Sequence, residues 1–78
     1  MKFNERDTVV LDRDLQEAGL RRGDLGAVVH VYASGGLEVE FVTASGRTQA
    51  LVTLSETDVR SIRDEDLIAV RSIHRGAA

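Results

Sequence analysis

The amino-acid sequence predicts a small all-β domain of five short antiparallel strands. Thirteen of its hydrophobic residues are Val or Ile, and they cluster in short runs instead of recurring about every 3.6 positions as in an amphipathic helix. Gly, Ser, Asp and Asn separate the runs and favour turns. The chain has 78 residues, a length that fits one domain, so we expect residues 1–78 to form one unit with a core spanning 7–73.

The predicted strands follow the apolar runs in order. They cover residues 8–11, 27–32, 37–43, 48–54 and 66–73, with a further apolar stretch at 59–62 before the last one. Residues 33–36 and 44–47 are short Gly-bearing segments, which suits hairpin turns that need positive φ angles. Residues 12–22 have the least strand character, and we expect an ordered loop there with one helical turn stopped by Gly19 in the left-handed conformation.

A 3₁₀ turn is predicted immediately after the fourth strand. The side chains of Ser55 and Asp58 can accept hydrogen bonds from the free backbone N–H groups of such a turn. Five short twisted strands, a long first loop and a short 3₁₀ turn before the last strand together predict a small SH3-like barrel. An OB-fold is the nearest alternative, but residues 44–47 leave no room for its helix.

The hairpin of the third and fourth strands has a register that can be derived. Closing it at Thr43 and Thr48 pairs apolar residues on one face: Phe41 with Ala50, Val39 with Val52 and Leu37 with Leu54. That face is expected to line the core. The reverse face, termed the outer face, carries a mixture of polar and aliphatic residues: Glu38, Glu40, Val42, Gln49, Leu51 and Thr53.

The strand at 27–32 can present either of two faces to the core. One face carries Val28, His30 and Tyr32, and the other carries Val29 and Val31. We expect the second face inside, because burying an imidazole without a partner costs about 1–3 kcal/mol. A β-bulge at the glycines of 35–36 would shift the alternation of inward and outward side chains by one residue, as this arrangement requires.

Charge and composition exclude several classes of function. Ten basic and thirteen acidic residues give a formal net charge of -3, and the arginines are scattered, so we do not expect binding to nucleic acid. The absence of Cys excludes disulfides and thiolate zinc sites. No apolar run approaches the roughly 20 residues that cross a membrane, and the first residues lack the apolar region of a secretory signal. We therefore expect a cytoplasmic protein without membrane contact.

The sequence does not predict an active site. His30 and His74 are the only imidazoles, and their spacing does not suit a metal site. Glu38 and Glu40 lie two residues apart on one strand face, but no apolar pocket is evident that would separate their pKa values. We expect the acidic residues 64–66 to form a solvated turn, and we expect no catalytic residues, metal or cofactor.

The segment 20–32, with Gly23, Asp24 and Gly26, resembles a small bacterial family catalogued as a domain of unknown function. The resemblance continues through 37–41 and 50–54 and extends from Asp7 to Arg71. It implies the SH3-like fold and a role beside a protein partner such as a toxin. It transfers no catalytic residues.

The same Gly-Asp-x-Gly-x-Val-x-x-Val pattern is similar to the KOW motif of ribosomal and transcription factors. It is also similar to small SH3-like subunits that dock electron carriers in photosynthetic complexes. In both groups the motif mainly builds the fold. The similarity implies that Gly23 and Gly26 permit a tight turn and that Asp24 bonds the backbone of its own turn.

The outer face is the best candidate for a functional surface. A contiguous semi-apolar patch bordered by acids often marks a contact with another protein, and the candidate interface is Val28, His30, Tyr32, Glu38, Glu40, Val42 and Leu51. We therefore expect a non-catalytic interaction module that binds a cognate protein or a second copy of itself as a homo-oligomer. Two alternatives stay open: a KOW-like nucleic-acid contact module, and a small-ligand binder that uses the loop 12–22.

Overall fold

A computed structural model describes residues 2–73 of the chain. Five antiparallel strands form one open sheet in the order β4-β3-β2-β1-β5, which confirms the all-β prediction. The strands are β1 Thr8–Leu11, β2 Leu25–Val31, β3 Leu37–Val42, β4 Thr48–Leu54 and β5 Val59–Ser61. The sheet has two edges, β4 and β5.

Two short 3₁₀ turns, Gln16–Ala18 and Glu56–Asp58, interrupt the strands where the sequence predicts them. Gly19 ends the first with a φ of 71° in the left-handed region, where glycine has no steric penalty. In the second, the Ser55 N–H donates to the Asp58 carboxylate at 2.9 Å. Within residues 2–73, no helix has the length and apolar character needed to cross a membrane.

The hairpin turns lie at 33–36 and 44–47, as predicted. Gly35 and Gly46 have φ angles of 100° and 89°. The Tyr32 N–H donates to the Gly36 carbonyl at 2.8 Å, and the Thr43 N–H donates to the Arg47 carbonyl, also at 2.8 Å.

The register of β3 and β4 is the predicted one, with Phe41 opposite Ala50, Val39 opposite Val52 and Leu37 opposite Leu54. A register shift follows between Phe41 and Val42. The sequence predicts Gln49 on the outer face. In the structure, next to this shift, the Gln49 side chain is half-buried and donates to the Ala18 carbonyl at 3.2 Å. The β3 side chains join one core cluster: Phe3, Val9, Leu11, Leu20, Val28, Leu37, Val39, Phe41, Leu54 and Val59.

The prediction for β2 is wrong at Val28 and Val29. Val28 is buried in the core, Val29 is exposed, and the β-bulge lies between Val28 and His30 instead of at the glycines 35–36. A bulge adds one residue to one strand and changes which residues face inward. It lets both Val28 and Val31 pack on the core while His30 stays exposed.

The prediction of a last strand at 66–73 is also wrong. The fifth strand is β5, which pairs with β1 so that Leu11 lies opposite Val59 and Val9 lies opposite Ser61. The fifth strand thus lies within the apolar stretch 59–62, which the sequence analysis placed before the predicted last strand. Residues 66–73, termed the arm, contain no regular secondary structure, and no backbone–backbone hydrogen bond joins 67–73 to the rest of the described chain.

Candidate interaction surface

The outer face of the sheet brings together six of the seven predicted interface residues. On β3, the alternation of side chains puts Glu38, Glu40 and Val42 on one face. The register places Glu38 between His30 of β2 and Thr53 of β4, and it places Glu40 opposite Leu51. The short turn after β2 adds Tyr32.

Val28 does not belong to this surface. Its side chain is only 1% exposed and lies in the core cluster, because the bulge in β2 turns it inward. A partner protein could not contact the Val28 side chain without unfolding the sheet, so Val28 is not part of the candidate interface.

Glu38 is the centre of a polar cluster at one end of the outer face. Its Oε1 accepts hydrogen bonds from the Tyr32 hydroxyl at 3.2 Å and from the Thr53 hydroxyl at 2.6 Å. The His30 and Tyr32 rings meet edge to face with centroids 4.6 Å apart. On its other side, His30 Nδ1 lies 3.5 Å from a carboxylate oxygen of Glu5. These contacts fix the orientation of the Tyr32 ring.

The environment of Tyr32 keeps its phenol protonated. Partial desolvation raises the pKa of Tyr32 above its usual 10.0, and the charge of Glu38 and the hydrogen bond to it act in the same direction. Both effects of Glu38 favour the neutral phenol, which can donate to the carboxylate. Tyr32 therefore acts as a hydrogen-bond donor across the neutral pH range.

Val42 and Leu51 are the apolar part of the outer face. Each side chain is 55% exposed, and Val42 lies two residues along β3 from Glu40, the register partner of Leu51. The Glu40 carboxylate accepts a hydrogen bond from the Thr48 hydroxyl. The outer face thus consists of the polar cluster around Glu38 and an apolar pair, with Glu40 beside the pair, instead of one continuous apolar patch.

The turn before β2 has the role that the sequence predicts for Gly23 and Asp24. Gly23 has a φ of 98°, and its N–H donates to the Leu11 carbonyl at 2.7 Å. The Asp24 carboxylate accepts the Arg21 N–H at 2.8 Å, while the Asp24 N–H donates back to the Arg21 carbonyl at 3.0 Å. Asp24 therefore closes its own turn.

Gly26 has a different role from the predicted one. It lies inside β2 and not in the turn, and a Cβ atom there would stand 2.7 Å from a Val39 methyl and 2.8 Å from the Phe41 ring. The absence of a side chain lets β3 pack close to β2 at this point. The close packing of the β3 side chains against β2 therefore requires a glycine at position 26.

Asp24 also binds the arm, a contact that the sequence does not predict. Arg71 Nε donates to Asp24 Oδ1 at 2.8 Å and Nη2 donates to Oδ2 at 2.5 Å. Burial of the carboxylate opposes ionisation, but the hydrogen bonds from the Arg71 side chain and the Arg21 backbone outweigh it and lower the pKa of Asp24. No sequence signal joins these partners, which are 47 positions apart.

A second ion pair holds the beginning of the arm. Arg60 of β5 donates to both oxygens of Asp66, at 2.9 and 3.1 Å, and the Arg63 N–H adds a hydrogen bond at 2.7 Å. The hydrogen bonds from Arg60 and from the Arg63 backbone lower the pKa of Asp66 to about 2. The sequence predicts a solvated turn for the acidic residues 64–66. Asp66 departs from this prediction, because it anchors the arm to the sheet.

Between the two edge strands lies a groove of about 570 Å³. Gln49 lines it from β4, Arg60 lines it from β5, and Leu20 and Phe41 contribute apolar surface. The arm forms part of its wall. The loop 12–22 borders a smaller cavity of about 440 Å³ together with Gln49 and Arg71.

The described residues contain no group of three or more His, Asp or Glu side chains that could hold a metal ion. His30 has only Glu5 as an ion-pair partner among them. His74, the second histidine considered from the sequence, lies outside the described residues.

A family model described as a domain of unknown function (DUF4926) matches residues 5–61, well over half of the chain. The chain belongs to this family. No curated protein and no solved structure matches the chain. The match to DUF4926 ends with β5 at residue 61. It is shorter than the resemblance seen in the sequence, which extends as far as Arg71. The arm thus lies outside the segment that defines the DUF4926 domain.

Proposed function

We propose that this DUF4926 domain is a non-catalytic protein-interaction module that docks through its outer face. The observation that carries the proposal is the exposure of Val42 and Leu51, each 55%, on a face whose neighbouring polar side chains are held by hydrogen bonds. Exposed aliphatic side chains with an ordered polar rim are the usual composition of a protein contact. The partner is a cognate protein, such as a toxin or a larger enzyme subunit, or a second copy of the chain.

For the architecture, we propose an SH3-like barrel. The strand order, in which β5 returns to pair with β1, supports this assignment. So do the long first loop and the 3₁₀ turn Glu56–Asp58 directly before β5. The two edge strands border the groove, which corresponds to the open side of such a barrel.

The ion pairs favour a protein partner over nucleic acid. Among residues 2–73, four arginines form ion pairs with aspartates: Arg13 with Asp58, Arg22 with Asp12, Arg60 with Asp66 and Arg71 with Asp24. Binding to a phosphate backbone depends on a field of uncompensated positive charge. The paired carboxylates offset four of the positive charges that a KOW-like contact with nucleic acid could use.

The test is the substitution Leu51→Asp, with Val42→Asp as a second change to the same apolar pair. Each should leave the fold intact, because the side chain is exposed in the free domain. Each should abolish binding of the cognate protein or self-association, since a charge desolvated in an apolar contact without a counter-ion is costly. Circular dichroism checks the fold, while sedimentation and pull-down from the native lysate check the contact.

Phe41→Ala on the core face is the matched control. It should destabilise the domain by about 3–5 kcal/mol, whereas Leu51→Asp should not. If Leu51→Asp unfolds the domain at every concentration, the assignment of the outer face is wrong. If both outer-face variants fold and bind as the wild type does, this face is not the interface.

A further inference from the structure

The groove gathers most of the exposed apolar side chains of the described chain. Within residues 2–73, nine large hydrophobic residues are exposed, and six of the nine line this groove. Three belong to the sheet or directly follow it and are 38–55% exposed, while three belong to the arm and are 62–97% exposed: Leu25, Val42, Ile62, Leu67, Ile68 and Val70. Apolar surface gathered in one concavity is typical of a binding site for a small molecule.

Val10 shows that one wall of the groove is built on the sheet. Its side chain is only 5% exposed, although it is not a member of the core cluster. Its register partners are Leu25 on β2 and Arg60 on β5, and all three residues line the groove. The two ion pairs of the arm hold its ends beside this row. The walls are therefore in place before a ligand binds, which lowers the entropy cost of binding.

The charged residues of the groove leave one cation available to a ligand. Three arginines and two aspartates line it among the described residues. Arg60 and Arg71 are in ion pairs with the two aspartates, so the described lining has a formal charge of +1 on a chain whose net charge is -3. This charge belongs to Arg47, whose guanidinium has no hydrogen-bond or ion-pair partner among residues 2–73. An arginine presents a planar set of N–H donors that matches a carboxylate.

We propose that the groove binds an amphipathic carboxylate, with its apolar chain between the arm and the sheet and its head group on Arg47. One negative charge balances the formal charge of the lining, whereas a phosphate monoester, with a charge of about -2 at neutral pH, would leave a negative charge uncompensated. The volume of about 570 Å³ lies within the range of roughly 300–1,000 Å³ that is typical of small-molecule sites. This inference goes beyond the proposed function, because the ligand is a small molecule and Leu51 is not among the described lining residues.

Calorimetric titration of the full chain with octanoate and with octanol tests the head group. The two probes share an apolar chain, and only octanoate carries a charge. Arg47→Gln should raise the dissociation constant of octanoate at least about fivefold, because it removes a charge-assisted hydrogen bond, and it should leave the affinity for octanol unchanged. Arg47→Lys keeps the charge without the planar set of donors, so it should lose less affinity for octanoate than Arg47→Gln does.

Ile68→Thr tests the apolar part of the site, with Val29→Thr as the matched control. Ile68 lines the groove and Val29 is not among the described lining residues. The two side chains are 62% and 42% exposed, so both variants should keep the fold, which circular dichroism checks. Ile68→Thr should raise the dissociation constants of octanoate and octanol by a similar factor of about three, because it removes apolar surface that the ligand chain covers. Val29→Thr should change neither constant.

Amide chemical shifts in the presence of octanoate locate the site. We expect the largest changes at Ala44, Arg47 and Ile68, which all line the groove. Changes centred on Tyr32 and Leu51 would place the ligand on the outer face and would overturn the proposal.

Three other results would also overturn this proposal. They are a wild type without saturable binding of octanoate, an Arg47→Gln variant that loses octanol as strongly as octanoate, and equal losses of affinity in Ile68→Thr and Val29→Thr. None of these results bears on docking of a protein to the outer face, which Leu51→Asp tests separately.

Discussion

Single side chains decide how closely the strands approach and which way they face. Gly26 lets the β3 side chains Val39 and Phe41 pack against the β2 backbone. The extra residue at the bulge, Val29, lets β2 turn two valines inward while His30 stays exposed. Both features depend on contacts between strands. The sequence therefore identified the glycine but assigned it to a turn, and it identified a bulge but placed it at the wrong residue.

Gly26→Ala should destabilise the domain by about 1–3 kcal/mol, because its Cβ would force the Val39 and Phe41 side chains out of their positions. Gly36→Ala is the matched control. A Cβ there would come no nearer than 3.6 Å to another residue, so the change should be close to neutral. Urea unfolding of the three proteins measures the difference, and equal losses in the two variants would contradict the packing role of Gly26.

At the scale of the elements, the local sequence pattern predicted the pairing of β3 with β4 correctly, but it also predicted a strand at 66–73 that does not form. The alternation of apolar residues on β3 and β4 fixed all three predicted core pairs, since a slip of one residue would expose every apolar side chain. The arm has an equally strand-like composition, but it is not a strand of the described sheet, and β5 is the strand that pairs with β1. Its anchor, Asp24 with Arg71, joins residues 47 positions apart, beyond the range of any local pattern.

The attachment of the arm should depend on pH through Asp66. The pKa of Asp66 is lowered from 3.8 to about 2, so the unfolded chain takes up this proton at a higher pH than the folded chain does. The stabilisation is therefore complete above the unfolded value and is lost as the pH falls toward 2. The Arg63 amide proton, which donates to Asp66, should report the titration by NMR with a midpoint near 2. In Asp66→Asn this titration should be absent, and a midpoint near 3.8 in the wild type would show that Arg60 does not hold the carboxylate in solution.

The charge distribution of the whole molecule bears on the proposed kind of partner. A net charge of -3 and four described arginines in ion pairs with aspartates support the proposal of a protein partner, because binding to nucleic acid depends on a positive field.

We expect binding to duplex DNA or structured RNA to be weaker than about 10 μM at physiological salt, because even basic domains bind non-specifically with dissociation constants of roughly 10⁻⁴–10⁻⁶ M. Fluorescence anisotropy over a range of salt concentrations measures this. Submicromolar affinity that falls steeply as salt is added would support the KOW-like alternative over a protein partner.

The pairing of β5 with β1 also has a consequence for synthesis of the chain. The hairpins β2–β3 and β3–β4 join neighbours in sequence, so they can form as soon as residues up to Leu54 have left the ribosome. β1 cannot receive its second neighbour until Ser61 follows. Strand edges that wait unpaired during translation are prone to aggregate. A nascent chain that pauses before β5 would therefore leave one edge of β1 unpaired, and we expect the chain to be most prone to aggregate at this stage.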